Sequence, residues 1–573
     1  MSKWRISFLI IIIFFLGSGV LARLFSLQIL QHDVYSQLAQ DQHQLYQTLF
    51  PERGEIFLQD LSVSRRVNTD QYYPLAINKE FRQVYLVPKN IPIEGRQELA
   101  EKLSSLLDLD ESLILERINK PDDPYEPLKH KVSREIADQI EELGINGLGI
   151  APETWRYYPS DSLASHLLGF VGVNQDGRIG QYGLEGYYED ELKGTIGFLQ
   201  GEKDTAGYWI PSLDRKLELA QDGTQLVLTL DQNIQFKVEK ELSQAITAWQ
   251  AIGGTIIVME PKTGAILAMA SWPSFDPNQY GRVEDIDVFL NPSIQKVYEP
   301  GSVFKAFTMA AGLDSGRLTP DTVYHDKGKI QIKGSYINNV DEKVYGDQTM
   351  VQVLEKSINT GAVFVQQKIG EDIFQDYVQR FSFGQKTGID LVGEVSGDIS
   401  NLFTGREINL ATISFGQGIT VTPIELITAI SAIANDGKLM RPYLVEKMVY
   451  HDGEEKKTEP EVIREVISSE VAKRLTKMLV SVVDNGFGRP ARISGYSIAG
   501  KTGTAQVADL EKGGYSEETI HSFIGYAPAF DPRFAILIKL DEPQGIRFAA
   551  DSVSPMFKRL AEYLFNYLEI PPQ

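Results

Sequence analysis

The chain has 573 residues, enough for two or three folded domains, and a formal net charge of −21. This negative charge argues against a nucleic-acid partner, because phosphate binding requires a basic face. Cysteine is absent, which excludes disulfides and thiolate chemistry, and the seven histidines form no metal-ligand motif, so a zinc enzyme is not expected.

The N-terminus predicts a membrane anchor. Residues 6–22 carry no charge and are mostly apolar, and as a helix they would span about 25 Å, close to the thickness of the hydrocarbon layer. Lys3 and Arg5 precede this run, which predicts a cytoplasmic N-terminus and an exported remainder. A cleaved signal peptide is the alternative, but an apolar helical pattern resumes after Arg23. We therefore expect a single-pass protein of the cell membrane.

Four regions are predicted in chain order. Residues 1–22 form the cytoplasmic tip and the anchor, and residues 23–50 form a helical stalk. Residues 51–221 alternate short strands with helices and hold no convergent set of catalytic residue types, which predicts a spacer or docking module. Residues 222–573 form the last and largest region.

In the last region, the sequence predicts a sheet whose strands come from both the beginning and the end of the region. It opens with a strand, a long amphipathic helix and a hairpin, and helix-rich sequence follows to about residue 490. Three strands and a final helix close the chain. This order predicts one mostly antiparallel sheet flanked by helices, with an all-helical lobe packed on it. The fold class is therefore α+β and multidomain.

A buried lysine marks the first candidate catalytic pair. Lys305 is the single charged residue between Ser302 and Asp314. Helical spacing of three places Ser302 and Lys305 on one face, about 5–6 Å apart. The apolar neighbours would desolvate the ammonium and favour the neutral amine, which can accept the proton of a serine nucleophile. A helix that begins at Gly301 also leaves free N–H groups beside Ser302, suited to an oxyanion.

A second candidate element is Ser357-Ile358-Asn359, which lies where one helical run meets the next. A hydroxyl and an amide at this position could relay a proton or hold a substrate amide. By itself the motif is far more typical of a helix cap than of a catalytic element.

The third element is Lys501-Thr502-Gly503-Thr504, which opens a predicted strand. Lys501 and the two threonines would meet a carboxylate. Gly503 would let a substrate backbone approach and pair along the strand edge. Two other Lys-Thr-Gly triplets, at 262–264 and 386–388, lie in a hairpin turn and a loop and are not expected to act.

Taken in this order, the three elements resemble the active site of penicillin-binding proteins and serine β-lactamases. The segments NPSIQKVYEPGSVFK, FGQGITVTPIELITAISAIANDGKLMRPYLV and HSFIGYAPAFDPRFAILIKLDEP resemble class B penicillin-binding proteins, as do PERGEI and GQYGLEGYYEDELKGTIG upstream. The resemblance covers nearly the whole chain, and its last segment is most similar to the septal, cell-division type. One departure is the isoleucine at 358, where the family carries serine or aspartate.

The resemblance implies a peptidoglycan D,D-transpeptidase whose residues 51–221 are a pedestal or dimerisation module. Ser302 would be the acyl-enzyme nucleophile and Lys305 its base, with Ser357 and Asn359 in proton transfer and substrate positioning. Lys501, Thr502, Gly503 and Thr504 would bind the donor peptide or a β-lactam. The N–H groups of Ser302 and Thr504 would form the oxyanion hole. No cofactor or metal is implied.

The resemblance also implies partners: peptidoglycan stem peptides, β-lactams as inhibitors, the membrane through residues 6–22, and a SEDS-type glycosyltransferase with other division proteins. Alternatives remain open. These are an elongation-type transpeptidase, a D,D-carboxypeptidase or β-lactamase of the same fold, and a non-catalytic scaffold or β-lactam sensor.

Overall fold

The structure is a computed structural model that describes residues 3–31, 44–62, 71–120, 123–174, 177–203, 209–210, 216–508 and 514–572. The chain divides into two compact units. One unit comprises residues 1–53 and 193–223, and the other comprises residues 54–192 and 224–573.

The first unit begins with the predicted apolar helix. An α-helix spans Lys3–Phe25 and continues into a short π-helical turn, Ser26–Leu30. Within it, Ile10–Ile29 is the one stretch of the described residues long and apolar enough to cross a membrane, judged by length and composition.

A small antiparallel sheet completes the first unit. Strand Gln44–Leu49 pairs with Gly197–Lys203, which also pairs with Lys216–Glu218 and Trp209–Ile210. The predicted helical stalk to residue 50 is therefore wrong at Gln44–Leu49. Pairing with a strand far along the chain is not visible in the local hydrophobic pattern, so tertiary context overrides propensity here.

The second unit contains a seven-stranded sheet that draws strands from both sides of residue 222. The strands run in the spatial order Glu455–Lys457, Val445–Val449, Gln225–Asp231, Ile56–Gln59, Tyr72–Leu86 and Glu126–Val132, and Leu148–Tyr157 also pairs with Tyr72–Leu86. Near it lie helices Arg96–Leu107, Glu111–Ile118, Arg134–Glu141, Ser165–Leu168, Gly183–Tyr187 and Glu189–Leu192, and a hairpin of Phe170–Asn174 and Gly177–Gln181.

The predicted antiparallel sheet is present in the same unit. Its strands are β1 (Gly253–Met259), β2 (Ile266–Trp272), β3 (Ala499–Ala508), β4 (Tyr515–Ala527) and β5 (Phe534–Asp541), in the spatial order β2-β1-β5-β4-β3. All four pairings are antiparallel. Apolar side chains of helix Gln232–Trp249 and of the C-terminal helix, Ala549–Tyr567, share one core with this sheet. The α+β fold class is confirmed.

A helical lobe packs on the sheet and contains the Lys305 helix, Lys305–Asp314. The other helices of this part of the chain are Pro292–Gln295, Met350–Glu355, Asn359–Ile369, Glu371–Arg380, Glu407–Ile413, Pro423–Ala434 and Ser469–Asn485. Three two-stranded ladders accompany them: Val323–Asp326 with Gly346–Thr349, Lys329–Ile332 with Ser335–Asn338, and Lys438–Met440 with Val462–Glu465. The prediction of an all-helical lobe is therefore wrong in this detail, because short ladders lie among its helices.

Candidate active site

Ser302 lies in a tight turn that leads into the Lys305 helix. Residues Gly301–Phe304 form a 3₁₀ turn, and the α-helix begins at Lys305. In a 3₁₀ turn, residues three apart eclipse one another, so the serine and the lysine are aligned more closely than the predicted single helix requires. Gly301 has a positive φ of 58° and donates its N–H to the carbonyl of Gly416 at 3.0 Å, which fixes the entry to the turn.

The Lys305 ammonium position is buried and surrounded by oxygens. The residue is 1% exposed. Its Nζ lies 2.9 Å from Ser302 Oγ, 3.1 Å from Ser357 Oγ, 2.6 Å from the Ser357 carbonyl oxygen and 2.7 Å from Asn359 Oδ1. The carbonyl and the amide oxygen can only accept, so each takes a hydrogen from Nζ. The remaining position of the nitrogen faces two hydroxyls, which suits the lone pair of a neutral amine.

Burial lowers the pKa of both site lysines. The pKa of Lys305 is held well below its ordinary value, first by burial and then by the neighbouring charge of Lys501. Burial alone lowers the pKa of Lys501 to about 7. Both shifts favour the uncharged amine, and at Lys305 the charge of Lys501 adds to the effect of burial.

Ser357 connects the two lysines. Lys501 donates from Nζ to Ser357 Oγ at 3.0 Å and to the carbonyl of Thr502 at 3.0 Å. The same hydroxyl lies 3.1 Å from the Nζ of Lys305. Ser357 adopts a left-handed backbone with φ of 52°, which is strained for a residue with a Cβ and is held by the ends of the helices on either side. The structure thus brings Ser302, Lys305, Ser357, Asn359 and Lys501 into one hydrogen-bonded cluster.

Strand β3 lies directly against the Ser302 turn. A Cβ built on Gly503 would fall closest to Ser522 Oγ, 3.0 Å from Val303 Cγ1 and 3.1 Å from the carbonyl oxygen of Pro300. The atoms that exclude a side chain there belong to the protein itself. Close approach of the strand to the serine turn is therefore a second reason for this glycine, and the approach of a substrate backbone stays a prediction.

Thr502 and Thr504 enter the site differently from Lys501. Thr502 joins the cluster through its carbonyl, as the acceptor for Lys501. Thr504 accepts a hydrogen bond on Oγ1 from the N–H of Ala549 at 3.1 Å, at the start of the C-terminal helix. Its backbone lies beside Ala505, whose Cβ would be 2.9 Å from a Cβ built on Gly301. The backbone of β3 and the Ser302 turn are therefore immediate neighbours, as an oxyanion hole of Ser302 and Thr504 requires.

A buried polar network supports the wall that carries Asn359, and the sequence reasoning missed it. Asn359 donates from Nδ2 to the carbonyl of Asn338 at 3.0 Å. Next to it, Thr360 donates from its N–H and its hydroxyl to Asn339 Oδ1, and Asn339 in turn donates to both carboxylate oxygens of Asp326. Asp326 and Asn339 lie in or beside short ladders and Thr360 lies in a helix, and no distinctive local sequence pattern identifies any of them.

The site is open to solvent on one side. Ser302, Ser357 and Asn359 are partly exposed, whereas both lysines are buried. Strand β3 ends the order of the five-stranded sheet, so no further strand among the described residues pairs with its outer edge. A separate cavity of about 330 Å³ lies between helix Gln232–Trp249, β2 and residues 162–166, and holds none of the predicted site residues.

Comparison with known proteins places this fold and cluster in a defined class. The model of the penicillin-binding protein transpeptidase domain matches residues 254–562, and the model of the penicillin-binding protein dimerisation domain matches residues 49–228. A buried lysine beside a serine on such a domain defines a serine acyltransferase of the penicillin-binding class.

The matches to known proteins extend over most of the chain. Stage V sporulation protein D of Bacillus subtilis is 33% identical over 560 residues, covering 96% of this chain and 84% of the relative. The peptidoglycan D,D-transpeptidase FtsI of Escherichia coli is 30% identical over 523 residues, covering 90% and 85%. A crystal structure of penicillin-binding protein 3 of Mycobacterium tuberculosis, in complex with aztreonam, is 27% identical with a TM-score of 0.69, covering 92% and 98%. The chain therefore belongs to the penicillin-binding protein transpeptidase family, and the resemblance noted in its sequence is confirmed.

Proposed function

We propose that the protein is a serine D,D-transpeptidase that cross-links peptidoglycan stem peptides through an acyl-enzyme at Ser302. The observation that carries this proposal is the buried Nζ of Lys305, which lies 2.9 Å from Ser302 Oγ and 2.6 and 2.7 Å from two oxygens that can only accept, so the two hydrogens of a neutral amine are directed away from the serine. The names of relatives support it, since the one from Escherichia coli is named a peptidoglycan D,D-transpeptidase and the one from Neisseria meningitidis is named a probable one.

Acylation follows from this geometry. The neutral amine of Lys305 takes the proton of Ser302 as Oγ attacks the carbonyl between the two terminal D-alanines. The N–H groups of Ser302 and Thr504 stabilise the oxyanion. The C–N bond then breaks, and the leaving D-alanine receives a proton through Ser357, whose hydroxyl lies within 3.1 Å of both lysines. The acyl-enzyme and free D-alanine are the products of this half-reaction.

Transfer reverses the same steps with a different amine. An amine from a neighbouring stem peptide attacks the ester, Lys305 accepts its proton, and Ser302 recovers its hydrogen as it leaves. Asn359 positions the peptide amide, and Lys501, Thr502 and Thr504 bind the terminal carboxylate, or that of a β-lactam. Water in place of the amine would make the protein a carboxypeptidase or a β-lactamase.

A direct assay separates these activities. The purified protein is incubated with a donor peptide that ends in D-Ala-D-Ala and with an amine acceptor, and both free D-alanine and transfer product are measured. We expect both products in equal amounts early in the reaction. D-Alanine without transfer product would indicate a hydrolase, and the absence of both, together with no covalent penicillin labelling, would favour a scaffold.

Penicillin labelling is expected to slow as pH rises through about 7. Lys501, whose pKa burial lowers to about 7, carries its charge below that pH and loses it above, so its attraction for the carboxylate weakens. The measurement is the second-order labelling rate between about pH 6 and about pH 9. Lys501→Arg, which stays charged throughout, should lose this decline. A wild-type rate that is flat across the range would contradict the role given to Lys501.

We further infer a septal role at the cell membrane. The apolar helix supports an anchor, and Lys3 and Arg5 before it favour a cytoplasmic N-terminus with the transpeptidase domain outside. Similarity of the β4–β5 segment to the cell-division type supports the septum rather than the lateral wall, and a SEDS-type glycosyltransferase is the proposed partner. A fluorescent fusion found along the lateral wall instead of at midcell would favour the elongation type.

A further inference from the structure

An ion pair joins the two walls of the site at its outer end. Arg547 donates from Nη2 to a carboxylate oxygen of Asp341. Asp341 lies three residues beyond Asn338, whose carbonyl receives the Asn359 amide, so this carboxylate belongs to the helical-lobe wall. It follows the ladder strand Ser335–Asn338 in a turn with a left-handed backbone, φ of 55°, which aspartate and asparagine tolerate better than most residues.

Arg547 belongs to the opposite wall. It lies in the loop between β5 and the C-terminal helix, two residues before Ala549. The N–H of Ala549 bonds Thr504, and Ser552 bonds the ring of His521 at 2.8 Å, so this loop end is fixed on strands β3 and β4. The guanidinium also lies 4.8 Å from the centroid of the Phe548 ring, which restricts its orientation.

The pair is well placed but easily opened. The side chains of Arg547 and Asp341 are 69% and 56% exposed. Exposed ion pairs contribute little stability, so a competing carboxylate can displace Asp341 at small cost. Opening the pair frees a planar guanidinium whose donors match a carboxylate in two-point geometry.

Arg547 differs from the two site lysines in its exposure to solvent. Lys305 and Lys501 are buried, and each contacts oxygens of the cluster. Arginine stays charged at all relevant pH values and is here accessible to solvent. In a chain with a net charge of −21, a fixed cation at the mouth of the site would be a specific attractor for an acidic peptide.

We propose that Arg547 determines specificity for the donor peptide by binding a second carboxylate of that peptide, upstream of the D-Ala-D-Ala terminus. Between turnovers, the guanidinium of Arg547 is paired with Asp341. This inference rests on the proposed transpeptidase function. It concerns recognition only, because the chemical steps at Ser302 do not involve Arg547.

The test uses two synthetic donor peptides that both end in D-Ala-D-Ala. The residue before this terminus carries a side-chain carboxylate in one peptide and a carboxamide in the other. We expect wild type to release D-alanine from the carboxylate peptide with a kcat/KM roughly tenfold higher, the size of one charge-assisted contact. Arg547→Ala should lose that preference by slowing the carboxylate peptide alone, and Arg547→Lys should restore part of it.

Two further variants sharpen the result. Asp341→Asn keeps a residue that tolerates the left-handed turn and removes the competing charge, so it should lower KM for the carboxylate peptide. Arg317→Ala, at an exposed arginine just beyond the Lys305 helix, should leave the preference unchanged. This inference is overturned if wild type shows no preference between the peptides, or if Arg547→Ala slows both peptides equally. In either case, normal penicillin labelling would still support the proposed transpeptidase function. Failure of wild type to label and to release D-alanine overturns the function itself.

Discussion

Replacing Lys305 by alanine is expected to reduce covalent penicillin labelling by about 10²–10⁴-fold, the range that general-base catalysis contributes. The variant removes the amine that lies 2.9 Å from Ser302 Oγ, and Lys501 does not replace it because its Nζ is directed to Ser357 and to a backbone carbonyl. Folding should stay near normal, since a buried amine and its desolvation cost are removed together. The measurement is the rate of labelling by a fluorescent penicillin, with the folded state checked by circular dichroism.

Three variants serve as references for this result. Ser302→Ala has no nucleophile and sets the zero of the assay. Lys262→Ala and Lys386→Ala remove exposed lysines from the two other Lys-Thr-Gly triplets, and the first of these forms a surface ion pair with Asp531. Both should label like wild type. If Lys305→Ala also labels at a near-wild-type rate, the lysine is not the base.

The centre of the site was predictable because it places a charged residue type in an otherwise apolar stretch of sequence. A single charge in an apolar helix indicates a buried lysine, and burial of an amine has one common use beside a serine. The strand at Lys501 was predictable for a similar reason, since alternating apolar sequence at both ends of the last region requires one sheet. The roles of the individual side chains stay predictions, although the structure places the five central ones within hydrogen-bond reach.

The outer parts of the site could not be read from the sequence. Asp326, Asn339 and Thr360 acquire their function only through contacts between segments that are distant along the chain. The ion pair of Asp341 and Arg547 depends in the same way on how the last loop meets the helical lobe. Polar residues of these types are common in loops, so the local sequence gives no reason to select them.

Gly503 shows how a correct position can be predicted for an incomplete reason. The motif marks it as a glycine that permits close approach, yet the approaching atoms belong to Pro300, Val303 and Ser522 of the protein. We expect Gly503→Ala to slow penicillin labelling on the order of tenfold. Overpacking of this kind costs about 1–3 kcal/mol, and relief of the clash moves β3 away from the Ser302 turn and widens the oxyanion hole.

A second substitution identifies the cause. Ser522 is 2% exposed, and its hydroxyl is the atom nearest to the added methyl group, so Ser522→Ala in the Gly503→Ala background should recover part of the rate. Recovery should be incomplete because Val303 and the Pro300 carbonyl remain at 3.0 and 3.1 Å. Gly281→Ala, where a Cβ meets nothing within 4 Å, is the matched control and should label normally. Wild-type labelling by Gly503→Ala would mean that the strand and the serine turn are not held as closely as acyl transfer at Ser302 requires.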